Sequence, residues 1–270
     1  MPWKDRESRV TSSAKAPIQL SIVIPAFNEK GRLGATLLAV NEWAVGYQAR
    51  VEVVVVDDGS TDRTLEIARI WARETGDTAE VVPLVLAEPH RGKGAAVARG
   101  MLAACGAVRM FMDADLAVPL VFVERIVEEI RRGADVAIGS RELDQSQRFD
   151  EPWRRHALGR GFNRLVSWLG VSGFTDTQCG FKGFSADAAE DIFRRARLYP
   201  ADSEVIQHEQ VTAFDVELLA IARRRGWQTV EIPVEWRHVP MSKVRPLSDA
   251  VSMLFDVLRV RWYLLRGVYD

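Results

Sequence analysis

Cysteine is nearly absent: Cys105 and Cys179 are the only two in 270 residues. Two thiols so far apart make no disulfide framework, so a reducing compartment, the cytoplasm, is expected. Histidine is almost as scarce, with four, and neither residue type falls at zinc-finger spacing. No run of about 18 apolar residues occurs, so no transmembrane helix is expected. Residues 1–17 are polar and of mixed charge, which reads as a flexible arm and not as a signal peptide. Neither sign of charge is in excess. A formal net charge of -1 leaves no general electrostatic grip on nucleic acid. A Walker loop (Gly-x-x-x-x-Gly-Lys-Ser/Thr) is missing, and no Gly-x-Gly-x-x-Gly follows the first strand, which argues against P-loop and dinucleotide folds. Internal repeats and low-complexity tracts are missing too.

What is present is ordinary globular material, 47% hydrophobic and 27% charged. Branched apolar runs at Ile18–Pro25, Val51–Val56, Val81–Leu86, Val108–Asp113 and Asp135–Ser140 read as strands. Helical patterns separate them, over Gly31–Val45, up to Glu74, from Arg91 to Cys105 and over Pro119–Arg132. Strand and helix thus alternate, which predicts an α/β domain with a mainly parallel sheet flanked by helices. The alternation then breaks. Residues 144–155 read as a mobile basic loop, Leu158–Leu169 as a helix, and Gly173–Phe184 as a glycine-containing loop carrying Asp176, Gln178 and Lys182. Helices are expected over Ala186–Ala196, Phe214–Arg225 and Pro246–Arg266, with a short strand at Thr229–Val234. The resulting division is an arm (1–17), a main domain (18–240) and a C-terminal amphipathic helix (241–270).

Chemistry concentrates where the strands end. Asp113 and Asp115 stand at i and i+2 after an apolar run, so in extended chain they share a face. Two carboxylates so placed repel unless a cation lies near them, and hard cations such as Mg²⁺ or Mn²⁺ take oxygen ligands together with phosphate and water. Polar loops also follow the strands ending at Pro25 and Val56. Ligands of open α/β sheets bind beyond such strand ends, so the loops 25–29, 57–62 and 113–115 form one candidate site. Asn28, Glu29, Asp57 and Asp58 offer acceptors for a ribose and a base. Arg91-Gly92-Lys93-Gly94 offers cations at a helix start, a favourable place for a diphosphate. Arg141 and Arg155 could hold a second anion. His238, after the strand ending at Val234, could swing over to complete a metal shell.

Taken in order, Pro25-Ala26-Phe27-Asn28-Glu29, Asp57-Asp58-Gly59-Ser60-Thr61-Asp62, Arg91-Gly92-Lys93-Gly94-Ala95 and Asp113-Ala114-Asp115 resemble the successive motifs of inverting family 2 glycosyltransferases with the GT-A fold, the Rossmann-like fold of nucleotide-diphospho-sugar transferases. Asp176-Thr177-Gln178-Cys179-Gly180-Phe181-Lys182, Ala213-Phe214-Asp215-Val216-Glu217-Leu218-Leu219 and Ser242-Lys243 resemble a narrower group, the dolichyl-phosphate β-glucosyltransferases and their polyprenyl-phosphate relatives. The resemblance covers residues 18–267. It implies metal-dependent transfer of a hexose, glucose first, from a UDP-sugar to a polyprenyl or dolichyl phosphate with inversion. A GDP-mannose donor, a small soluble acceptor and a nucleotide-sugar-binding protein without turnover are the alternatives. By the same resemblance Pro25, Ala26, Asn28, Glu29, Asp57 or Asp58, and Lys93 would bind the uridine end. Asp113 would face ribose or diphosphate, and Asp115 would hold Mg²⁺ or Mn²⁺. Asp176, Gln178, Asp215 and Glu217 would line the sugar pocket, Arg141 and Arg155 would meet the acceptor phosphate, and Lys243 would close over the diphosphate. Asp215 would serve as general base only for a hydroxyl acceptor, because a phosphate monoester is already ionised at neutral pH. Two features depart from the group: the eukaryotic members carry an N-terminal membrane anchor that is not seen here, and Pro240-Met241 stands where a glycine precedes the Ser-Lys pair.

The last helix carries a stripe of Leu247, Val251, Leu254, Leu258, Trp262 and Leu265, opposite a narrower polar face of Ser248, Ser252, Asp256, Arg259 and Arg266. One reading lays this helix on the cytoplasmic face of a membrane as a peripheral contact. The other packs it on the sheet or on a second subunit. Sequence is silent on the oligomeric state.

Overall fold

The structure is a computed structural model that describes residues 16–78, 80–149, 161, 166–167, 173–206, 212–237 and 246–270, with side chains in the last helix from residue 252 onward. Arg155, His238 and Lys243 lie outside the described residues, as does most of the helix expected over 158–169. The chain runs β1 (Leu20–Ala26), α1 (Leu33–Gly46), β2 (Val51–Asp58), α2 (Thr64–Thr75), β3 (Val81–Glu88), α3 (Lys93–Ala103), β4 (Val108–Met112), α4 (Val121–Arg131), β5 (Val136–Ser140), β6 (Gln147–Phe149), β7 (Phe181–Ser185), α5 (Ala186–Arg195), α6 (Phe214–Arg225), β8 (Thr229–Pro233), β9 (Glu235–Arg237) and α7 (Pro246–Leu265).

Seven strands form one sheet in the order β3-β2-β1-β4-β7-β5-β8, in which only β7 runs antiparallel to its neighbours. Strands β6 and β9 pair separately. Alternate residues of the central strands feed two cores. Ile22, Ile24, Val53, Val55, Met110 and Met112 face the layer of α1, α2 and α4. Val23, Val54, Val56 and Phe111 face α3, α5, α6 and α7. Both faces are covered, which explains the near-continuous apolar strands read in the sequence. The inner residues of α7, Val257 and Val260, belong to the second of these cores and are fully buried. Among the described residues no helix is long and apolar enough to cross a membrane.

Two expectations need correction. Phe181–Ser185, read as the end of a loop, is the antiparallel strand between β4 and β5. Lys182 and Gly183 in its middle hide the apolar alternation that marks a strand. Gln147–Phe149, read as mobile loop, pairs with Glu235–Arg237.

The topology opens a cleft. β1 pairs with β4 only from Leu20 to Val23, while its pairing with β2 continues to Ala26. Strand order reverses between β1 and β4, the switch point at which open α/β sheets hold ligands.

Candidate active site at the ends of β1, β2 and β4

The loops after β1 and β2 are locked together. The Asn28 and Glu29 backbone N–H groups donate to Ser60 Oγ (2.9 Å) and Thr64 Oγ1 (2.7 Å), and Asn28 Oδ1 accepts from the Thr61 N–H at 2.9 Å. Asn28 holds a left-handed backbone, φ 53°, and so does Leu116 after the aspartate pair, φ 52°. A left-handed leucine carries a steric cost that its surroundings must hold in place, and such residues cluster at functional loops. Glu29 is salt-bridged to Arg32 at 2.6 Å. Pro25 is half-buried inside β1, opposite Val56, and Ala26 closes the strand opposite Asp57.

The paired aspartates after β2 divide their tasks. Asp58 is consumed by the turn before α3: its carboxylate accepts from the Arg91 and Gly92 N–H groups at 2.7 and 2.9 Å and meets His90 Nδ1 at 2.8 Å. Burial nonetheless pushes its pKa up. Gly59 stands at φ 72°, and a Cβ there would fall 2.6 Å from the His90 nitrogen, so only glycine fits that turn. Asp57 accepts from the Ser60 N–H through Oδ2 at 3.2 Å, while its buried Oδ1 has no hydrogen-bond partner among the described residues. An orphaned buried acceptor of this kind is a candidate for a ligand N–H.

Beyond β4, Asp113, Asp115 and Lys93 meet. Lys93 Nζ lies 2.5 Å from Asp113 Oδ1, and the two side chains are 40% and 38% exposed, open to a ligand. Desolvation opposes the charge of Lys93, but the carboxylates of Asp113 and Asp215 outweigh it and raise its pKa. Asp115 accepts from the Ala117 N–H at 3.0 Å and stands 3.9 Å from Arg32 Nη1. Burial, then the like charge of Asp113, raises its pKa. Lys93 and Arg32 pull in the opposite direction without cancelling these two effects. No group of three or more His, Cys, Asp or Glu suited to a metal occurs among the described residues. Asp113 and Asp115 would suffice only for a hard divalent cation of the kind that takes one or two protein carboxylates and completes its shell with phosphate and water. Gly180 underlies the arrangement: a Cβ on it would fall 2.5 Å from Asp113 Oδ2.

The other expected sugar-pocket residues are placed differently. Asp176 is fully buried and bound by Arg141, which donates from Nε (2.7 Å), Nη2 (2.8 Å) and its backbone N–H (3.0 Å). Burial would raise the pKa of Asp176, but Arg141 overrides it and brings it down to about 2. Arg141 also lies over the Trp236 ring, 5.6 Å from its centroid. This pair, with Glu231 accepting from the Thr175 and Asp176 N–H groups, clamps the loop that presents Gly180. Asp176, expected to line the sugar pocket, has both of its carboxylate oxygens turned to Arg141 inside the protein. Asp215 is bound through Oδ1 by the fully buried Lys182 at 2.6 Å. Glu217, two residues on, points to the other side of α6: it accepts from the Arg197 and Leu198 N–H groups at 2.7 and 3.0 Å and from Tyr269 Oη at 2.7 Å. A helix turns two successive odd positions by about 200°, so Asp215 and Glu217 cannot share a pocket. Gln178 keeps a buried Nε2 with no partner among the described residues. Sequence reasoning gave no role to Lys182, Gly180 or Arg32. The one available signal for Lys182 was a lysine set among apolar residues in Phe181-Lys182-Gly183-Phe184.

Residues 21–193 match the family model described as glycosyl transferase family 2. The chain belongs to that family. Its GT-A architecture is shared with glucosyl-3-phosphoglycerate synthase of Mycobacterium tuberculosis, solved in complex with Mn²⁺, UDP-glucose and phosphoglyceric acid; the likeness has a TM-score of 0.61 at 19% identity and covers 93% of this chain and 80% of the synthase. Family 2 relatives of closer sequence include the dolichyl-phosphate beta-glucosyltransferase of Saccharomyces cerevisiae, 34% identical over 267 residues, covering 93% of this chain and 77% of the yeast protein. The dolichyl-phosphate beta-glucosyltransferase of Homo sapiens is 33% identical over 264 residues, with 93% of this chain and 77% of the human protein covered.

Proposed function

We propose that this family 2 glycosyltransferase moves glucose from UDP-glucose to a polyprenyl phosphate of the dolichyl type, inverting the anomeric carbon. The relatives named above support the donor and the acceptor. The observation that carries the reading is the fate of the two carboxylates proposed for the sugar side: Asp215 is bound by Lys182 and Asp176 by Arg141. A hydroxyl acceptor needs a free general base. A phosphate monoester, whose second pKa is about 6, arrives ionised and needs only positioning.

In this reading Asp57 takes the base through its unpartnered Oδ1, with Ala26, Asn28 and Glu29 shaping the uridine seat. Lys93, at the start of α3, faces the diphosphate, where the helix N-terminus also favours negative charge. An oxygen of the acceptor phosphate attacks the anomeric carbon from the face opposite the diphosphate. The bond from that carbon to the diphosphate oxygen breaks with its electron pair, and UDP leaves. Lys93 stabilises the charge that grows on the leaving group. A Mg²⁺ or Mn²⁺ on Asp113 and Asp115 would add Lewis-acid neutralisation of that charge. Arg155 and Lys243 stay assigned by resemblance to the acceptor phosphate and the diphosphate, and His238 to the metal shell by its place after the strand ending at Val234. A lipid acceptor would bring the reaction to a membrane surface, and the cytoplasmic face is the side proposed for it.

A donor and acceptor screen tests this reading. UDP-glucose, GDP-mannose and other labelled donors are offered with short polyprenyl phosphates or with soluble phosphorylated acids, with divalent metal or with chelator. The expected result is metal-dependent glucosyl transfer from UDP-glucose to the polyprenyl phosphate. Transfer only to a soluble acceptor, or only from GDP-mannose, would overturn it.

A further inference from the structure

Helix α7 has two apolar faces and the fold uses one. Inward, Val257 and Val260 are fully buried, and Asp256 beside them is 4% exposed. Asp256 accepts from Tyr199 Oη at 2.9 Å and from the Ala213 N–H at 3.0 Å. This anchoring turns outward Leu254 (36% exposed), Phe255 (61%), Leu258 (44%), Trp262 (51%) and Leu265 (69%). Single exposed hydrophobes need no explanation, but five in one stripe along about 16 Å of helix mark a contact surface. The polar face expected from the sequence is thus split: Asp256 goes inward, while Arg259 and Arg266 stay exposed beside the stripe. Arg266 lies over the Trp262 ring, 5.1 Å from its centroid. From residue 252 to the end of the helix Asp256 is the only carboxylate, so the outward face carries positive charge alone.

That combination selects the partner. Leucines, a phenylalanine and a tryptophan flanked by arginines match a layer whose interior is apolar and whose rim is negative. A second copy seated on the same stripe would bring its own Arg259 and Arg266 towards these, since a two-fold contact matches a patch with itself. We infer that the outward face of α7 docks on anionic phospholipid headgroups. The inward face of the same helix connects to the site: Tyr199 and Phe214 both press on Gly94, where a Cβ would lie 2.9 and 3.0 Å from their Cβ atoms, next to Lys93. Docking there holds the cleft at the layer from which a polyprenyl phosphate is drawn. Only this purpose rests on the proposed acceptor; the surface itself stands on exposure and charge.

Co-sedimentation of the intact chain with vesicles free of polyprenyl phosphate tests the inference. The vesicles are phosphatidylcholine alone, or phosphatidylcholine mixed with phosphatidylglycerol, at low and high salt. Binding to the mixed vesicles at low salt is expected, with little binding to phosphatidylcholine alone. Leu258→Ser/Trp262→Ser/Leu265→Ser should weaken it at least about tenfold, as the loss of three buried apolar side chains requires. Arg259→Gln/Arg266→Gln, which leaves the apolar stripe whole, should remove most of its salt dependence. UDP binding and thermal unfolding check that both variants are folded, and light scattering follows mass. Three outcomes overturn the inference: an intact chain that ignores anionic vesicles at low salt, a triple variant that binds as the parent does, or a parent dimer that the triple variant converts to monomer. Transfer to a short, dispersed polyprenyl phosphate is measured separately. Vesicle binding without such transfer would sink the proposed acceptor and leave the docking surface standing, and the reverse would do the opposite.

Discussion

Lys182 of β7 and Asp215 of α6, 33 residues apart in sequence, meet at 2.6 Å in the interior. The ammonium also donates to the Cys179 carbonyl and lies 5.6 Å from the centroid of the Phe111 ring. A charge buried so completely survives only with its partner in place. The carboxylate of Asp215 also favours the charged form of Lys93.

Removing one member should therefore be worse than removing both. Lys182→Met leaves a buried carboxylate alone and should cost about 3–5 kcal/mol in urea unfolding. Lys182→Met/Asp215→Leu should recover most of that loss while transfer stays impaired. Additive losses in the double variant would mean that the ion pair is not the reason for the cost.

Gly180→Ala should act on the site and leave the fold largely alone. The added methyl displaces Asp113, and a shift near 1 Å in a positioned group costs about 10²-fold in rate. Steady-state kinetics should show kcat/KM falling by that order, with the unfolding midpoint nearly unchanged. Wild-type kinetics in Gly180→Ala would show that Asp113 does not need its present place.

Asp115→Asn tests the acidic pair directly. Metal-dependent binding of UDP-glucose, read by calorimetry, should be lost, and turnover should fall about 10²-fold or more. Because the pKa of Asp115 is raised, a cation there must displace a proton as pH falls, so metal affinity should drop on the acid side earlier than for an ordinary aspartate. Full activity in excess chelator would contradict the assignment.

Acid stability should report the pair formed by Asp176 and Arg141. The folded-state pKa of Asp176, about 2, lies below the value of about 3.9 expected when unfolded. The stabilisation, about 2–3 kcal/mol, is complete above the unfolded value and disappears as pH falls through the folded one. Unfolding free energy measured between about pH 5 and pH 2 should fall accordingly. Arg141→Gln should flatten that part of the profile and lower stability at neutral pH.

Much of this protein was legible in order along the chain. The branched runs ending at Pro25, Val56 and Asp113 marked parallel strands, because a strand covered on both faces must be apolar at every position. The polar residues just after them marked the cleft, because ligands meet open α/β sheets at those ends. The pairing of Asp113 with Asp115 followed from the two-residue period of extended chain alone. What chain order could not express was who neutralises whom. Asp57 and Asp58 are identical in sequence, yet one is spent on the turn at 90–92 and the other keeps an orphaned oxygen. Asp176, Asp215 and Glu217 looked alike as pocket carboxylates until the fold gave them Arg141, Lys182 and Tyr269 as partners. The stripe on α7 was plain in its spacing, but its direction depended on Asp256 finding Tyr199 and Ala213. Apolar periodicity is a local property that neighbouring residues carry. The partner of a charge is a long-range contact, and only the folded chain brings it within a few ångströms.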